Sequence, residues 1–334
     1  MRYLHLDVFT DRPFEGNQLA VFPEPGDLTT EQMQTIAREM NFSESTFIFP
    51  PQAGGDFRMR IFTPGDELPM AGHPTVGSTF ALAAEGALAR GRPDFVFELG
   101  VGPTPVSLEW GDNGLSFAWM TQPLPEFRGI VVDRAALAAA IGLELGDLAA
   151  GLPAQAVSCG VPFLFVPIAS RRAVDGVSID RKLLARCCAG AGLPELPVFF
   201  FTTEPGEPAT AGTGESARGP REESESSSAA ARARGGGAPR AVKLDETLYS
   251  RMLAPGFGIV EDPATGGASG PLGCYLLQHL VVSPDAAQAI VNLQGVAMKR
   301  PSRIYISIEG RPGAITRVRV GGASVVVGHG ELHI

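Results

Sequence analysis

One sequence pattern occurs twice along the chain. The stretches RIFTPGDELPMAGHPTVGS (60–78) and RMLAPGFGIVEDPATGG (251–267) share an arginine, a Pro-Gly pair, a second proline and a following glycine, in the same order. Each then runs into an apolar stretch compatible with a helix, STFALAAEGAL and ASGPLGCYLLQHL. A weaker echo pairs GNQLAVF (16–22) with GVPFLFV (160–166). Matches repeated in one order predict two halves that are copies of a single structural unit.

Alignment of the two copies places His73-Pro74 opposite Asp262-Pro263, and Gly77 opposite Gly266. It predicts that His73 and Asp262 hold matched positions, each directly before a helix. Because copies related by pseudo-symmetry can face each other, we expect the two helix N-termini on either side of one cleft.

The apolar runs of the chain are typical of an α+β protein. Short segments rich in β-branched and aromatic residues, such as TFIFP, FRMRIF, FLFVPI and RIYISI, predict strands. TTEQMQTIAREM (29–40) predicts a surface helix with Thr29 and Gln32 at capping-box spacing, and SIDRKLLARCC (178–188) predicts another. The helices after the repeated motifs are apolar nearly all round and should be buried. The predicted fold is two pseudo-symmetric domains, each a curled, mostly antiparallel sheet around a central helix.

The predicted N-terminal domain spans residues 1–122, with the last strand, about 326–334, as a candidate addition. The predicted C-terminal domain spans residues 123–325 and contains a segment, 204–241, that has no large apolar residue. Such a segment cannot bury enough surface to offset the entropy lost on ordering, so it is predicted to be a disordered insertion.

Composition narrows the functional classes. With 44% hydrophobic and 19% charged residues, the 334-residue chain has the profile of a soluble globular protein, and its net charge of −9 argues against a nucleic-acid or anionic-membrane partner. The N-terminus lacks a signal-peptide pattern and no apolar run is long enough to cross a bilayer, so a cytoplasmic location is expected. The four cysteines, at 159, 187, 188 and 274, form no C-x-x-C pair, which predicts buried thiols and no metal site. No glycine-rich nucleotide motif follows a strand.

The residues at the two predicted helix N-termini are typical of an anion-binding site. A helix N-terminus offers unpaired N–H groups and a partial positive charge, and glycines there let a ligand approach the backbone closely. Two such ends in one cleft would bind a carboxylate, although simple capping by Asp262 and tight packing of the glycines would explain one copy alone. A proton-transfer reaction also needs a base, and Glu44 in NFSEST is the candidate. Taken by its residue type and position alone, Glu44 is better explained as a solvated strand start.

Five segments of the chain resemble the phenazine-biosynthesis PhzF-like family: DVFTDRPFEGNQLAVF, NFSEST, LPMAGHPTVG, EDPATG and LQGVAMKRPSRI. The resemblance covers nearly the whole chain apart from the segment 204–241. It implies the diaminopimelate epimerase-like fold, an active site between the domains, a homodimer, and no cofactor or metal. It also implies an isomerase that moves a proton within a small carboxylate-bearing substrate such as trans-2,3-dihydro-3-hydroxyanthranilate, a step of phenazine biosynthesis.

The same resemblance implies roles for individual residues. Glu44 would be the general acid/base that removes a proton from one substrate carbon and returns it at another. His73 and Asp262 would bind and orient the substrate, and Asn17 would line the cleft. The predicted substrate-binding set is Asn17, Gly72, His73, Asp262, Thr265, Gly266 and Gly267.

One departure from the family and two alternative functions follow from the same motifs. The family commonly has a serine where this chain has Gly267, and the missing hydroxyl would cost on the order of 1 kcal/mol of substrate binding unless Ser269 replaces it. A cofactor-free amino-acid epimerase or racemase of the same fold would need thiols at positions held here by Ala71 and Thr265, so it is disfavoured. A non-catalytic small-molecule-binding member is the other alternative.

Overall fold

The structure, a computed structural model, describes residues 1–204 and 247–333. Apart from Glu204, the predicted insertion therefore lies outside the described residues. The α-helices of the described ranges are α1 (Thr30–Met40), α2 (Gly72–Ala84), α3 (Arg134–Ala140), α4 (Arg171–Asp175), α5 (Arg181–Gly190) and α6 (Gly266–Gln278). The strands are β1 (Arg2–Val8), β2 (Asn17–Phe22), β3 (Glu44–Phe49), β4 (Phe57–Phe62), β5 (Glu67–Leu68), β6 (Asp94–Leu99), β7 (Gly102–Gly111), β8 (Gly114–Gln122), β9 (Glu126–Val131), β10 (Ala154–Ser158), β11 (Pro162–Pro167), β12 (Val198–Thr202), β13 (Thr247–Ala254), β14 (Ile259–Asp262), β15 (Ile290–Gln294), β16 (Ser302–Arg311), β17 (Ala314–Gly322) and β18 (Ser324–Glu331).

Strands β1–β8 and β10–β17 pair in the same order and with the same polarity. In the first set β1/β2, β3/β4, β4/β5, β6/β7 and β7/β8 are antiparallel, while β2/β3 and β4/β6 are parallel. The second set repeats every one of these pairings nine strands later along the chain. This confirms the predicted α+β fold class with two pseudo-symmetric, mostly antiparallel halves.

The two halves are joined by strand pairing as well as by the chain. Strand β8 pairs with β17 across the junction. Strand β9 follows β8 but pairs with β10, whereas β18 follows β17 but pairs with β1. Each half therefore receives an edge strand from the chain segment that leaves the other half. The domain boundaries themselves stay a prediction.

Each half surrounds one buried helix. Every residue of α2 from Gly72 to Leu82 is buried, and α2 contacts β1, β2, β8 and β18. Every residue of α6 from Gly266 to Leu277 is buried, and α6 contacts β10, β11, β16 and β17. These helices carry apolar and small residues all round because a sheet covers each of them on several sides.

The helices outside these cores follow ordinary amphipathic rules. Helix α1 begins after Thr29, which forms the predicted capping box with Gln32 and thereby satisfies two unpaired backbone groups. Helix α5 covers the second predicted surface helix and begins after Asp180. The short helices α3 and α4 were not predicted, because five to seven residues are too few to show a period of 3.6.

The structure corrects the register of the sequence repeat. His73 is the second residue of α2, whereas Asp262 ends β14, three residues before Thr265, the residue that precedes α6. The structurally matched positions are thus Ala71 with Thr265 and Gly72 with Gly266. The proline-based alignment was wrong by five residues, because Pro74 lies inside its helix and Pro263 lies ahead of its own.

Three of the four cysteines are buried, as predicted, and the Sγ atoms of Cys159 and Cys274 lie 4.0 Å apart. Among the helices of the described ranges, none combines the length and the apolar character needed to span a membrane.

Candidate active site

A cleft of about 380 Å³ lies between the two halves. The first half contributes Glu44 and the segment from Met70 to His73 to its lining. The second half contributes Val161 to Phe163, Met252, Asp262 and the segment from Thr265 to Gly267. The N-terminal ends of both central helices therefore border the same cleft, as the sequence predicted.

The two helix N-termini touch each other through glycine backbones. A Cβ atom built on Gly72 would lie 2.4 Å from the carbonyl carbon of Gly266, and one built on Gly266 would lie 2.9 Å from the Cα of Gly72. No side chain fits in these gaps, so only glycine allows the approach. Because both helix ends carry partial positive charge, their contact concentrates that charge at the cleft.

The central helices also differ from the surface helices in how they begin. A Ser, Thr or Asp side chain caps each of α1, α3, α4 and α5. Within residues 1–204 and 247–333, neither α2 nor α6 has a side-chain hydrogen bond at its cap, where Ala71 and Thr265 stand. The N–H groups that open both helices are therefore not capped by a protein side chain at the cleft.

Asn17 links the groups around the cleft from behind. Its Nδ2 lies 2.8 Å from Asp262 Oδ1, 3.0 Å from the carbonyl oxygen of Ala264 and 3.2 Å from His73 Nδ1. An amide carries two hydrogens, so the two shorter contacts account for them. Asn17 is itself buried and does not border the cleft in this structure. It positions the residues that do.

The carboxylate of Asp262 is held by three donors. Besides Asn17, the Ser43 hydroxyl donates to Oδ1 at 3.0 Å and the Thr265 hydroxyl donates to Oδ2 at 2.5 Å. Burial raises the pKa of Asp262 to about 6, although all three hydrogen bonds act to lower it. Asp262 is only 5% exposed. Because its pKa lies below 7, it is mainly ionised at neutral pH.

Gln294, at the end of β15, fixes the connection between β14 and α6. Its Nε2 donates to the Asp262 carbonyl at 2.8 Å and to the Thr265 hydroxyl at 2.9 Å, and its Oε1 accepts from the Thr265 N–H at 3.1 Å. Sequence reasoning gave no role to Gln294 or to Ser43. Both stand in segments that carried the family resemblance. For Gln294, the available signal was a glutamine at the end of an apolar strand.

Glu44 and His73 form the second polar pair of the cleft. Glu44 is the first residue of β3, as its position before an apolar run predicted, but its side chain is only 12% exposed rather than solvated. Its Oε2 lies 3.2 Å from Nε2 of His73, which is 3% exposed. Neither atom has an aligned hydrogen-bond partner in the described part of the chain. Both polar groups therefore face the cleft with bonding capacity to spare.

Burial sets the protonation of this pair. Desolvation lowers the pKa of His73 to about 3, so its ring is neutral near pH 7 and the contact with Glu44 is not an ion pair. Desolvation raises the pKa of Glu44 well above its usual range, and the negative charge of Asp262 raises it further. A neutral imidazole can present either a donor or an acceptor, so it fits the carboxyl group with or without its proton. The geometry suits a carboxyl group that both takes up and releases a proton.

The other predicted residues all border the cleft. They are Glu44, Gly72, His73, Asp262, Thr265, Gly266 and Gly267. Ser269 does not replace the missing hydroxyl at Gly267, because its Oγ donates to the Thr265 carbonyl within α6. In the ranges that the structure describes, no three His, Cys, Asp or Glu residues are arranged to hold a metal ion.

Comparisons with known proteins extend over the whole chain. A sequence model of the family described as phenazine biosynthesis-like protein, PhzC-PhzF, matches residues 6–199 and 221–330. The trans-2,3-dihydro-3-hydroxyanthranilate isomerase of Pseudomonas aeruginosa is 34% identical over 333 residues, which cover 100% of this chain and 99% of that protein.

Solved structures show the same fold. A phenazine biosynthesis protein of the PhzF family from Bacillus anthracis superposes with a TM-score of 0.78 at 24% identity, covering 100% of this chain and 99% of that one. A probable proline racemase from Agrobacterium radiobacter has a TM-score of 0.61 at 11% identity, covering 100% of this chain and 93% of that one. Both likenesses concern the fold alone. Together with the family match, these findings show that the chain belongs to the phenazine biosynthesis-like (PhzC-PhzF) family of isomerases.

Proposed function

We propose that this protein moves a proton within a small, unsaturated carboxylate, with trans-2,3-dihydro-3-hydroxyanthranilate as the reference substrate. Glu44 is the catalytic acid/base. As a carboxylate it takes a proton from one substrate carbon, the bonding electrons shift through the adjacent double bonds, and the same carboxyl group returns the proton to another carbon. No atom is gained or lost, so no co-reactant is needed.

The observation that carries this proposal is the buried Glu44 carboxyl group, 3.2 Å from His73 at the cleft. A carboxyl group with an ordinary pKa is a weak base, whereas one whose pKa is raised toward neutrality transfers protons efficiently in both directions. Burial and the charge of Asp262 supply that raise in pKa. A solvated strand-start glutamate would have neither.

The helix N-termini supply the binding half of the site. The uncapped N–H groups at Gly72, Gly266 and Gly267 would hold the substrate carboxylate, and His73, Asp262 and Thr265 would orient its polar groups. A buried anion site of this kind uses backbone donors and helix dipoles and needs no lysine or arginine. The unpartnered Nε2 of His73 supports a polar ligand in the same cleft.

A two-thiol epimerase is the weaker alternative. The residues that precede the two central helices are Ala71 and Thr265, and the Thr265 hydroxyl is engaged with Asp262. No cysteine is among the described residues that line the cleft, and the pKa of the Cys159 thiol is raised by its contact with Cys274 and by burial. Neither thiol lies at the cleft, and the raised pKa of Cys159 disfavours the thiolate that proton abstraction needs.

The test is turnover of trans-2,3-dihydro-3-hydroxyanthranilate in D₂O, followed by absorbance and by deuterium incorporation at carbon. Glu44→Gln should lose at least about a hundredfold in kcat, since general acid/base catalysis contributes 10²–10⁴-fold. Glu39→Gln, a change at an exposed glutamate of α1, is the matched control and should keep wild-type rates. Turnover that survives in Glu44→Gln would remove Glu44 from the mechanism. Inactivity of the wild type would remove the reference substrate.

We also infer from the family relationship that the protein is a homodimer and acts in the cytoplasm. Sedimentation analysis of the full chain tests the first point: a monomer across micromolar concentrations would contradict it.

A further inference from the structure

One wall of the cleft is apolar and takes no part in the proposed proton transfer. It is formed by Met70, Phe163, Leu196, Met252 and Ile259. All but Ile259 are buried, so their side chains are fixed by packing and present a preformed surface. Ligand sites usually combine such a wall with a few polar groups that orient the ligand. Here the polar groups are Glu44, His73 and the helix ends.

Gly267 opens space beside that wall. A Cβ atom on Gly266 or Gly270 would collide with neighbouring residues, at 2.9 Å and 2.0 Å respectively. A Cβ atom on Gly267 would meet only the ring of Phe163, at 3.9–4.0 Å, which is an ordinary contact. Packing within the protein therefore does not require glycine at position 267. A longer side chain there would extend into the cleft beside Phe163, so glycine at this position leaves that part of the cleft open.

The charges of the lining restrict what can occupy this space. The cleft lining includes the acidic residues Glu44, Asp66, Glu195 and Asp262, and among its described residues there is no lysine or arginine. In the described part of the chain, the arginine that pairs with this set, Arg181, is already bound to Glu195. His73 is neutral near pH 7 because burial lowers its pKa. A second carboxylate on the ligand would meet repulsion without a compensating cation. An apolar group would instead bury hydrocarbon against hydrocarbon.

We propose that the part of the cleft bordered by Gly267, Phe163 and the apolar wall is a subsite for an apolar, aryl-sized group, so that the substrate is a monocarboxylate with an apolar body. This rests on the proposed function, in which the helix N-termini hold the carboxylate. The subsite would select substrates larger than the ring of the reference compound and would exclude dicarboxylates.

The test is calorimetric titration of the full-length protein with butanoate, 4-phenylbutanoate and glutarate, none of which can be turned over. Wild type should bind 4-phenylbutanoate at least about tenfold more tightly than butanoate, the effect of burying one added apolar group. It should bind glutarate more weakly than butanoate. Gly267→Leu should fill the subsite and abolish the advantage of the phenyl group. Gly190→Leu, at the end of α5 where a Cβ meets no atom within 4 Å, is the matched control and should keep it.

Equal binding of the three carboxylates to wild type would overturn the subsite, as would a phenyl preference that persists in Gly267→Leu. Binding by the two variants is compared only if Gly267→Leu is folded, that is, if its unfolding temperature is similar to that of Gly190→Leu. If it does not fold, Gly267→Ala replaces it and should reduce the preference by at least half. Failure of the proposed function is detected by a different measurement: turnover would then be the same in wild type and Glu44→Gln.

Discussion

At the scale of single residues, the site depends on two carboxyl groups with different environments. Asp262 accepts hydrogen bonds from Asn17, Ser43 and Thr265, whereas Oε2 of Glu44 has no aligned partner among the described residues and lies near His73. The donors keep Asp262 ionised, and its charge raises the pKa of Glu44. One carboxylate thus tunes the other, a division of roles that lets neighbouring acids do different chemistry.

This coupling predicts a shift in pH dependence. The acid limb of kcat/KM reports the ionisation of the base in the free enzyme. In Asp262→Asn the negative charge that raises the pKa of Glu44 is gone, so the acid limb should move to lower pH, whatever happens to the maximum rate. A pH–rate profile of wild type and Asp262→Asn measures the shift. An unchanged limb, or one moved to higher pH, would contradict the coupling.

Glu44 should also cost the protein stability above acidic pH. Its pKa is raised in the folded state relative to 4.5, so the folded state binds its proton more tightly than the unfolded chain does. Glu44→Gln should therefore be more stable than wild type at pH 8, and the difference should vanish below pH 4.5, where both side chains are neutral. Between the unfolded and folded pKa the gap grows by at most about 1.4 kcal/mol per pH unit. Urea unfolding at pH 4, 6 and 8 measures it, and a constant gap would point to packing instead of ionisation.

At the scale of elements, local signals were predictable and their spatial relations were not. The capping box depends on residues only three positions apart, Thr29 and Gln32, and it predicted the start of α1 correctly. The ends of α2 and α6 follow no capping rule, because their first turns serve the cleft between the halves. Matching their prolines therefore gave the wrong register, although it brought His73 and Asp262 to the right site.

The contact of α2 with α6 predicts opposite effects for two alanine substitutions. Gly72→Ala would place a methyl group 2.4 Å from the backbone of Gly266, and relieving that overlap should destabilise the protein by about 1–3 kcal/mol and lower kcat by parting the helix ends. Gly267→Ala, at the same end of α6, meets only an ordinary contact and removes backbone freedom from the unfolded chain, so it should stabilise by about 0.5–1 kcal/mol. Chemical denaturation of both variants checks this. Equal changes would mean that the helix ends do not pack as described.

Arg300 connects the loop before β2 to the loop before β16. Its guanidinium donates to the carbonyls of Gly16 and Glu15 at 2.7 and 2.8 Å and to the buried carboxylate of Asp7. Gly16 has a φ of 68°, and a Cβ there would lie 2.3 Å from the Val8 carbonyl, so the loop holds one tight conformation next to Asn17. The clamp thus fixes the start of β2, from which Asn17 reaches the site.

Removing the arginine should therefore affect both folding and catalysis. Arg300→Met leaves Asp7 buried without its cation and should cost about 3–5 kcal/mol of stability. Adding Asp7→Asn should recover part of that loss, because the uncompensated charge is gone. If Arg300 only stabilises, kcat of the folded variants should match wild type. If it positions Asn17, kcat should stay reduced in the double variant even where stability is restored.

At the scale of the whole molecule, the repeated motifs were enough to predict the duplication. Two copies of a Pro-Gly turn followed by a buried helix implied two similar halves, and the paired strands bear this out. The exchange of β9 and β18 between the halves could not be deduced in this way, because no local sequence pattern shows which distant strand a given strand pairs with. Glu44 was likewise a solvated residue by its local pattern, but its side chain lies in the cleft between the halves and is only 12% exposed. We propose the division at residues 122 and 123 on the basis of the repeated strand order.

The same symmetry predicts how much of the chain between β12 and β13 the protein needs. Strands β12 and β13 are antiparallel neighbours with Thr202 opposite Tyr249, and their counterparts β3 and β4 are joined by seven residues, 50–56. Replacing residues 205–246 with a five-residue Gly-Ser linker gives the second half a connection of that same length. Because loop closure becomes easier by about 0.6 kcal/mol per halving of loop length, stability should rise by about 1–2 kcal/mol. Turnover and calorimetry of the shortened protein, beside one with residues 205–246 scrambled, measure the outcome. If only the shortened protein loses turnover while its stability is unchanged, the replaced segment acts on the site through its length. If the shortened and the scrambled protein both lose turnover, the segment acts through its sequence.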